Sequence, residues 1–247
     1  MPNWNRNNIA IRGKKENILA FVNEGLKNSG RNTYSDVNDL ESAVNDLAEN
    51  AKGLDYSTSQ SADNRTKGLL EEVWNRGLYM GTFRPMPDIF RYDTTNHKDM
   101  FPEQANEQAE KYGAIGWYNY NCNVRFGCKW DAGIENFRYL DFDDEAVIEW
   151  YCETAWIYPI CFLRWIRDTF NVAVFIMTIE ESEEYAFYGE IDDEQCGQSY
   201  NDACPYDEEK AALDDDYDDE YDADRDEYYE NMYINFKELV EEYDIDR

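Results

Sequence analysis

The chain has one histidine, His97, in 247 residues, and none of its six cysteines forms a C-x-x-C pair. Zinc and iron–sulfur centres draw on clusters of those residues, so neither is supported, and no metal or cofactor is expected. The patterns G-x-x-x-x-G-K-[ST] and G-x-S-x-G are missing, and with them the usual phosphate-cradling loops and nucleophile elbows. Basic residues are scarce: 23 Lys and Arg stand against 54 Asp and Glu, for a net charge of −31. The one adjacent basic pair is Lys14-Lys15. A nucleic-acid reader needs a basic groove, so direct nucleic-acid binding is excluded. Apolar runs are short. The longest, 157–166 and 172–179, are core-sized, and the first residues have no apolar stretch of signal-peptide length, which predicts a cytoplasmic protein without membrane contact.

What the chain has in abundance is aromatic surface and carboxylate. Hydrophobic residues make up 43% and aromatics 16%, enough for a buried core despite the charge. Cys152 and Cys161 lie in apolar surroundings and read as reduced core residues, whereas Cys196 and Cys204 flank a loop. His97 sits in a polar loop and reads as a surface residue.

Periodicity divides the chain. Ile9 and Ile11 alternate over 8–12 and predict a first strand, ended by Gly13; Ile18, Leu19, Val22 and Leu26 predict a helix over 14–28. Val37, Leu40, Val44 and Leu47 behind Ser35 and Asp36, then Leu69, Leu70, Val73, Trp74 and Leu78, predict an inserted helical hairpin within 30–84. A short helix is expected over 103–112. The alternation of aromatic and polar residues over 117–130 predicts strand, extended or paired by 134–140, with another strand over 146–154. Pro159 stands where a helix containing Leu163, Ile166 and Phe170 begins. The run 172–180 is apolar on both faces, as a central strand would be, and 185–191 completes a hairpin. The order fits an α+β fold, a ferredoxin-like two-layer sandwich (split βαβ) over 1–195 interrupted by the helical insertion 30–84. An acidic extension, 196–247, ends in a helix with Tyr229, Met232, Tyr233, Phe236, Val240 and Tyr243 at three- and four-residue steps.

Three segments carry a family resemblance. They are Asn3-Trp4-Asn5; Met86-Pro87-Asp88 with Tyr112-Gly113-Ala114, Trp117-Tyr118-Asn119 and Gly127-Cys128-Lys129-Trp130-Asp131-Ala132; and Thr154-Ala155-Trp156 with Pro159, followed by Tyr188-Gly189-Glu190. Together they resemble the YubB-type ferredoxin-like domain of plasmid- and phage-encoded proteins. Cys128 stands where the family usually has Thr, and Ile157-Tyr158 replaces a Ser-Pro-type pair. The resemblance misses 30–84 and everything past about 195. It implies the fold and a mobile-element origin, hence a host bacterial cytoplasm, and it brings no catalytic residue.

Two groups of residues are candidate sites. Lys129, Trp130 and Asp131, with Trp156 nearby, suit a small polar ligand or acid–base chemistry; the plainer reading puts Trp130 in the core and pairs Lys129 with Asp131 at a sheet rim. Trp117, Tyr118, Tyr120, Trp150, Trp156 and Trp165 read as core packing rather than a stacking surface. Asp141, Asp143, Asp144 and Glu145 lack the glycine and spacing of a calcium loop. The second group is the acid run 214–227: Asp214, Asp215, Asp216, Tyr217, Asp218, Asp219, Glu220, Tyr221, Asp222, Asp224, Asp226 and Glu227, ten carboxylates in fourteen residues. One charge falls every ~2 Å if the run is helical and every ~4.6 Å if extended, bracketing the ~3.4 Å phosphate spacing along a DNA strand. A solubilising tail is the simplest reading. The functional one is a non-catalytic inhibitor that mimics DNA or RNA and occupies a basic, nucleic-acid-binding host protein such as a restriction or CRISPR-type defence effector. A small-ligand protein or enzyme, and a self-assembling homo-oligomer, are the alternatives.

Overall fold

The computed structural model describes residues 3–50, 78–91, 102–181, 185–192 and 217–243, and of residues 50, 88, 91, 102 and 217–224 the backbone alone. In chain order they form β1 (Trp4–Lys14), α1 (Lys15–Asn28), a 3₁₀ turn (Val37–Asp39) leading into α2 (Leu40–Asn50), β2 (Leu78–Tyr79), α3 (Met80–Phe83), α4 (Asp88–Arg91), α5 (Pro102–Tyr112) and α6 (Trp117–Tyr120). A π-helical turn (Asn121–Arg125), β3 (Gly133–Phe142), β4 (Glu145–Ala155), α7 (Ile160–Phe170), β5 (Ala173–Glu180), β6 (Ala186–Glu190) and α8 (Tyr217–Glu241) follow. The six strands make one antiparallel sheet, β2-β3-β4-β1-β5-β6. The fold is thus α+β, an open antiparallel sheet packed with helices.

Alternation along the strands sorts side chains to two faces. Ile9 and Ile11, Ile148, Trp150 and Cys152, and Val174 and Ile176 meet α1, α2 and α7 through Phe21, Val22, Leu47, Phe162 and Ile166. Phe21 stacks on Phe83 at 4.3 Å between centroids. On the other face Ala10, Val147, Phe175, Met177 and Ile179 receive Met232, Phe236 and Val240 of α8. Strand β5 is therefore covered on both faces, which is why its sequence reads apolar throughout. It is interior, between β1 and β6, while β1 holds the middle of the sheet. The regular stripe expected on the last helix is buried at Met232, Phe236 and Val240, but Tyr233 is 36% exposed. Helix α8 adds a helical layer to the expected sandwich.

Two local expectations fail. Residues 117–125 are helical, not strand. Trp117, Tyr120 and Val124 fall at i, i+3 and i+7 and close a small cluster over Met86 and Phe90, with Tyr120 stacked on Phe90 at 4.4 Å. Gly116 and Gly127, at φ 79° and 90°, bound the segment. Leu78, expected on the second helix of the insertion, instead pairs with Ile134 at the sheet edge. The rest of that helix, like His97, Cys196 and Cys204, lies outside the described residues.

The core also makes a pH prediction. Burial pushes the Cys152 thiol up to about 12, from an ordinary value of 9.0, and raises Cys128 well above its own. Burial likewise lifts Tyr139 to about 12. For an acid whose folded value is raised, the stabilisation is full below the unfolded value and is lost as pH climbs to the folded one. Denaturant midpoints should hold up to about pH 9 and fall progressively toward about pH 12. Cys152→Ala should make that decline shallower; an unchanged slope would show that Cys152 does not contribute.

Candidate functional site

Of the four residues of the first candidate group, Lys129, Trp130 and Trp156 gather and Asp131 turns away from them. Lys129, Trp130 and Asp131 lie in the irregular stretch between the π turn and β3, with no strand alternation to hold Lys129 and Asp131 together. Gly127 starts it because a Cβ there would sit 2.9 Å from the Cys161 amide nitrogen. Asn121 Nδ2 donates to the Lys129 carbonyl at 3.0 Å. Asp131 then turns inward. Its Oδ1 accepts from the Gly81 and Ala132 amides, each at 2.9 Å, and its Oδ2 lies 3.9 Å from Arg125 Nη2. These side chains are only 1% (Asp131) and 3% (Arg125) exposed. Arg125 Nε donates to the Arg84 carbonyl at 2.6 Å, and Arg84 Nη1 donates back to the Val124 and Arg125 carbonyls. The expected Lys129–Asp131 rim pair is thus replaced by a buried Arg125–Asp131 pair that fixes the π turn to α3.

Lys129 turns outward instead. Its Nζ stands 4.6 Å from the Trp130 ring centroid, 4.9 Å from Trp156 and 5.8 Å from Tyr118. Trp130 also neighbours Trp4, at 6.0 Å, and Trp156, at 5.8 Å. The expected core role holds for Tyr120 and Trp150 but not for Tyr118 and Trp156, which are exposed. Trp156 occupies the left-handed region at φ 69°, an uncommon place for a bulky residue. Its amide donates to the Asn3 carbonyl at 2.7 Å, and Thr154 Oγ1 donates to the Ile157 carbonyl at 2.8 Å. Thr154 also accepts from Asn7 Nδ2, and Thr178 donates to Asn7 Oδ1, so a buried polar ladder across β4, β1 and β5 holds this end of the sheet. That gives Thr154 in the Thr-Ala-Trp element a structural role.

From Tyr217 onward the acid run lies on α8. Asp214, Asp215 and Asp216 fall outside the described residues, and 217–224 are described as helical backbone. Asp226 and Glu227 are exposed. Seven carboxylates between residues 217 and 227 on a helix give about one charge per 2.4 Å of axis. Acids here, at the amino end, are also favourable to the helix dipole. The carboxyl end is pinned to the sheet. Arg12 Nη1 donates to the Val240 and Glu241 carbonyls at 2.7 and 2.6 Å, satisfying terminal acceptors with a cation. Arg12 also pairs with Glu145 at 2.7 Å and covers the Phe142 ring. Tyr243 donates to Glu190 Oε1 at 2.9 Å. In the hairpin acids, Asp141 pairs with Lys15 at 2.7 Å.

A cavity of about 390 Å³ lies elsewhere, between β1, β3, β4 and α8. Its walls are Asn8, Asn136, Arg138, Glu149, Tyr151, Tyr233 and Phe236, with Ile9, Phe137 and Trp150 beside them. A bulge between Glu135 and Arg138 opens β3 from β4 here, and Asn136 takes φ 54°, a conformation asparagine tolerates. Buried Glu149 accepts from Arg138 on Oε2, at 2.8 and 2.6 Å, and is paired with Lys237 of α8 on Oε1. The sequence signal that could have marked this place is a lone acid, Glu149, inside the apolar run of β4. Compared with known proteins, the chain matches no family model, no curated protein and no solved structure.

Proposed function

We propose that the chain is a non-catalytic protein-binding inhibitor of a phage or other mobile element. It presents the carboxylates of α8 to a basic, nucleic-acid-binding host protein, such as a restriction or CRISPR-type effector, in place of DNA or RNA. One observation carries this reading: the backbone that bears the acids from Asp218 to Glu227 and the segment clamped to the sheet by Met232, Phe236, Val240 and Arg12 belong to one continuous helix. Charges on a docked helix keep fixed spacing, and a fixed row of anions meets a basic groove with less ordering cost than a loose tail. The βαββαβ order of β1, α1, β3, β4, α7 and β5, with β1 between β4 and β5, supports a ferredoxin-like core. The mobile-element origin rests on the YubB-type resemblance of residues 127–132 and 154–156.

The test is competition between the intact chain and duplex DNA for the groove of a purified effector. Binding should weaken at least about tenfold between roughly 50 and 200 mM salt, as counterion-driven association does. A variant with Asp218, Asp219, Glu220, Asp222, Asp224, Asp226 and Glu227 made Asn or Gln should no longer displace the DNA. Undiminished displacement by that variant would sink the proposal.

A further inference from the structure

We propose that the cavity under α8 is a binding site for a small planar aromatic anion, a ring of benzoate or nicotinate size bearing a carboxylate. This goes beyond the inhibitor reading and does not depend on it.

The cavity's volume lies in the range of small-molecule sites, and its lining is mixed, with Tyr151 and Tyr233 standing beside Asn8, Asn136, Arg138 and Glu149. Ile9 and Trp150 belong to the opposite core, so the side chains facing the space come from the α8 side of the sheet and from α8 itself. Tyr151 and Tyr233 offer flat surfaces to a ring, with the buried Phe236 behind Tyr233. Asn8 supplies a carboxamide, donor and acceptor together, that forms no hydrogen bond to another described side chain or backbone group. Such a group in a recessed wall is placed to read a ligand's polar edge.

Charge selects the sign of the ligand. Glu149 has both oxygens engaged, one by Arg138 and one by Lys237, so two cations face one saturated carboxylate. Arg138 is half-exposed, with donors left for a second anion, and the Tyr233 hydroxyl stands beside it. Glu153, the other acid close by, is held by the Tyr151 hydroxyl at 2.8 Å, so the Arg138 guanidinium is the charged group of the lining left to meet a ligand. The bulge that opens the space reinforces the assignment: bulges recur where a strand is re-aimed beside a binding site, and Asn136 holds a left-handed backbone to make this one.

The experiment titrates the full chain with nicotinate and benzoate, against benzamidine and cyclohexanecarboxylate, by calorimetry and amide NMR. Both aromatic carboxylates should bind and the two controls should bind at least about tenfold more weakly, the scale of one charged or stacking contact. Asn8→Leu and Arg138→Met should each weaken nicotinate by about tenfold or more, while Lys129→Ala leaves it unchanged. Because Tyr233 and Phe236 line the site, saturating nicotinate should slow hydrogen exchange across 229–240. Absence of binding at about 10 mM, equal binding of benzamidine, insensitivity to Asn8→Leu, or unaltered exchange in α8 would each overturn the assignment. Should Arg138→Met fail to fold, Asn8→Leu and the exchange data decide alone. Loss of the inhibitor activity would not bear on this result, since no residue of 214–227 enters it.

Discussion

Asp131→Ala should lower the stability of the chain by about 3–5 kcal/mol, the range for removing one member of a buried ion pair. The effect is large because the substitution does three things at once. It leaves the Arg125 guanidinium, 3% exposed, without its carboxylate. It strands the Gly81 amide, whose acceptor is Asp131 Oδ1. And it unfastens α3 from the π turn that Arg84 and Arg125 tie together. Thermal melting should fall on the order of 10 °C for a chain of this size. Asp131→Asn, which keeps an acceptor for Gly81 and loses only the charge, should fall between wild type and Ala. Denaturant midpoints would read both. A loss below about 1 kcal/mol for Asp131→Ala, the scale of a surface pair, would contradict the buried role.

Phe236→Ala should cost about 3–5 kcal/mol if α8 stays docked, the usual penalty for emptying an aromatic core position. Phe236 is 2% exposed and is flanked by Met232 and Val240 on Phe175 and Met177. The helix, however, has another way out. Its polar ties include Arg12 at the carboxyl end, Lys237 on the buried Glu149 and Tyr243 on Glu190, and each is only part of what holds the helix down. Hydrogen exchange should therefore accelerate across 229–240 while amides of β1 and β4 keep their protection, the signature of a separate cooperative unit. Uniform acceleration through the sheet would show instead that α8 and the sheet open together. Where α8 opens by itself, the acids from Asp218 onward lose their fixed place, and under the proposed function this variant should then also compete poorly with DNA for a basic groove, with every carboxylate intact.

Where period was strong, the sequence was readable. Ile9 and Ile11 marked β1, the spacing of Ile18, Leu19, Val22 and Leu26 marked α1, Pro159 opened α7, and the two-faced apolar run of β5 meant cover on both sides. The stripe on α8 announced burial, though not that the covering surface was the far face of the same sheet. Legibility failed where two periods coincide. Trp117, Tyr118, Tyr120 and Val124 satisfy an alternating pattern and a helical one alike, and only packing on Phe90 decided between them. It failed again at Lys129 and Asp131, because past Gly127 the backbone is irregular and no period says which way a side chain points. Arg125 gave no warning, since arginine is ordinarily exposed and becomes a core residue only with a partner. The bulge beside the cavity was hidden because a one-residue insertion shifts register without leaving a compositional trace, so Glu149 was the one mark of the place.

The place of β1 in the middle of the sheet has a consequence for how the chain is made. Its neighbours are β4 and β5, so among the described residues β1 pairs only with strands made after position 144. At ~5–20 residues per second of synthesis, Ile9 and Ile11 wait roughly ten to thirty seconds for a partner strand. Contacts of that sequence separation also make slow folders. A nascent chain of this kind offers an apolar strand to chaperones over that interval, and truncations short of β5 should remain bound to them.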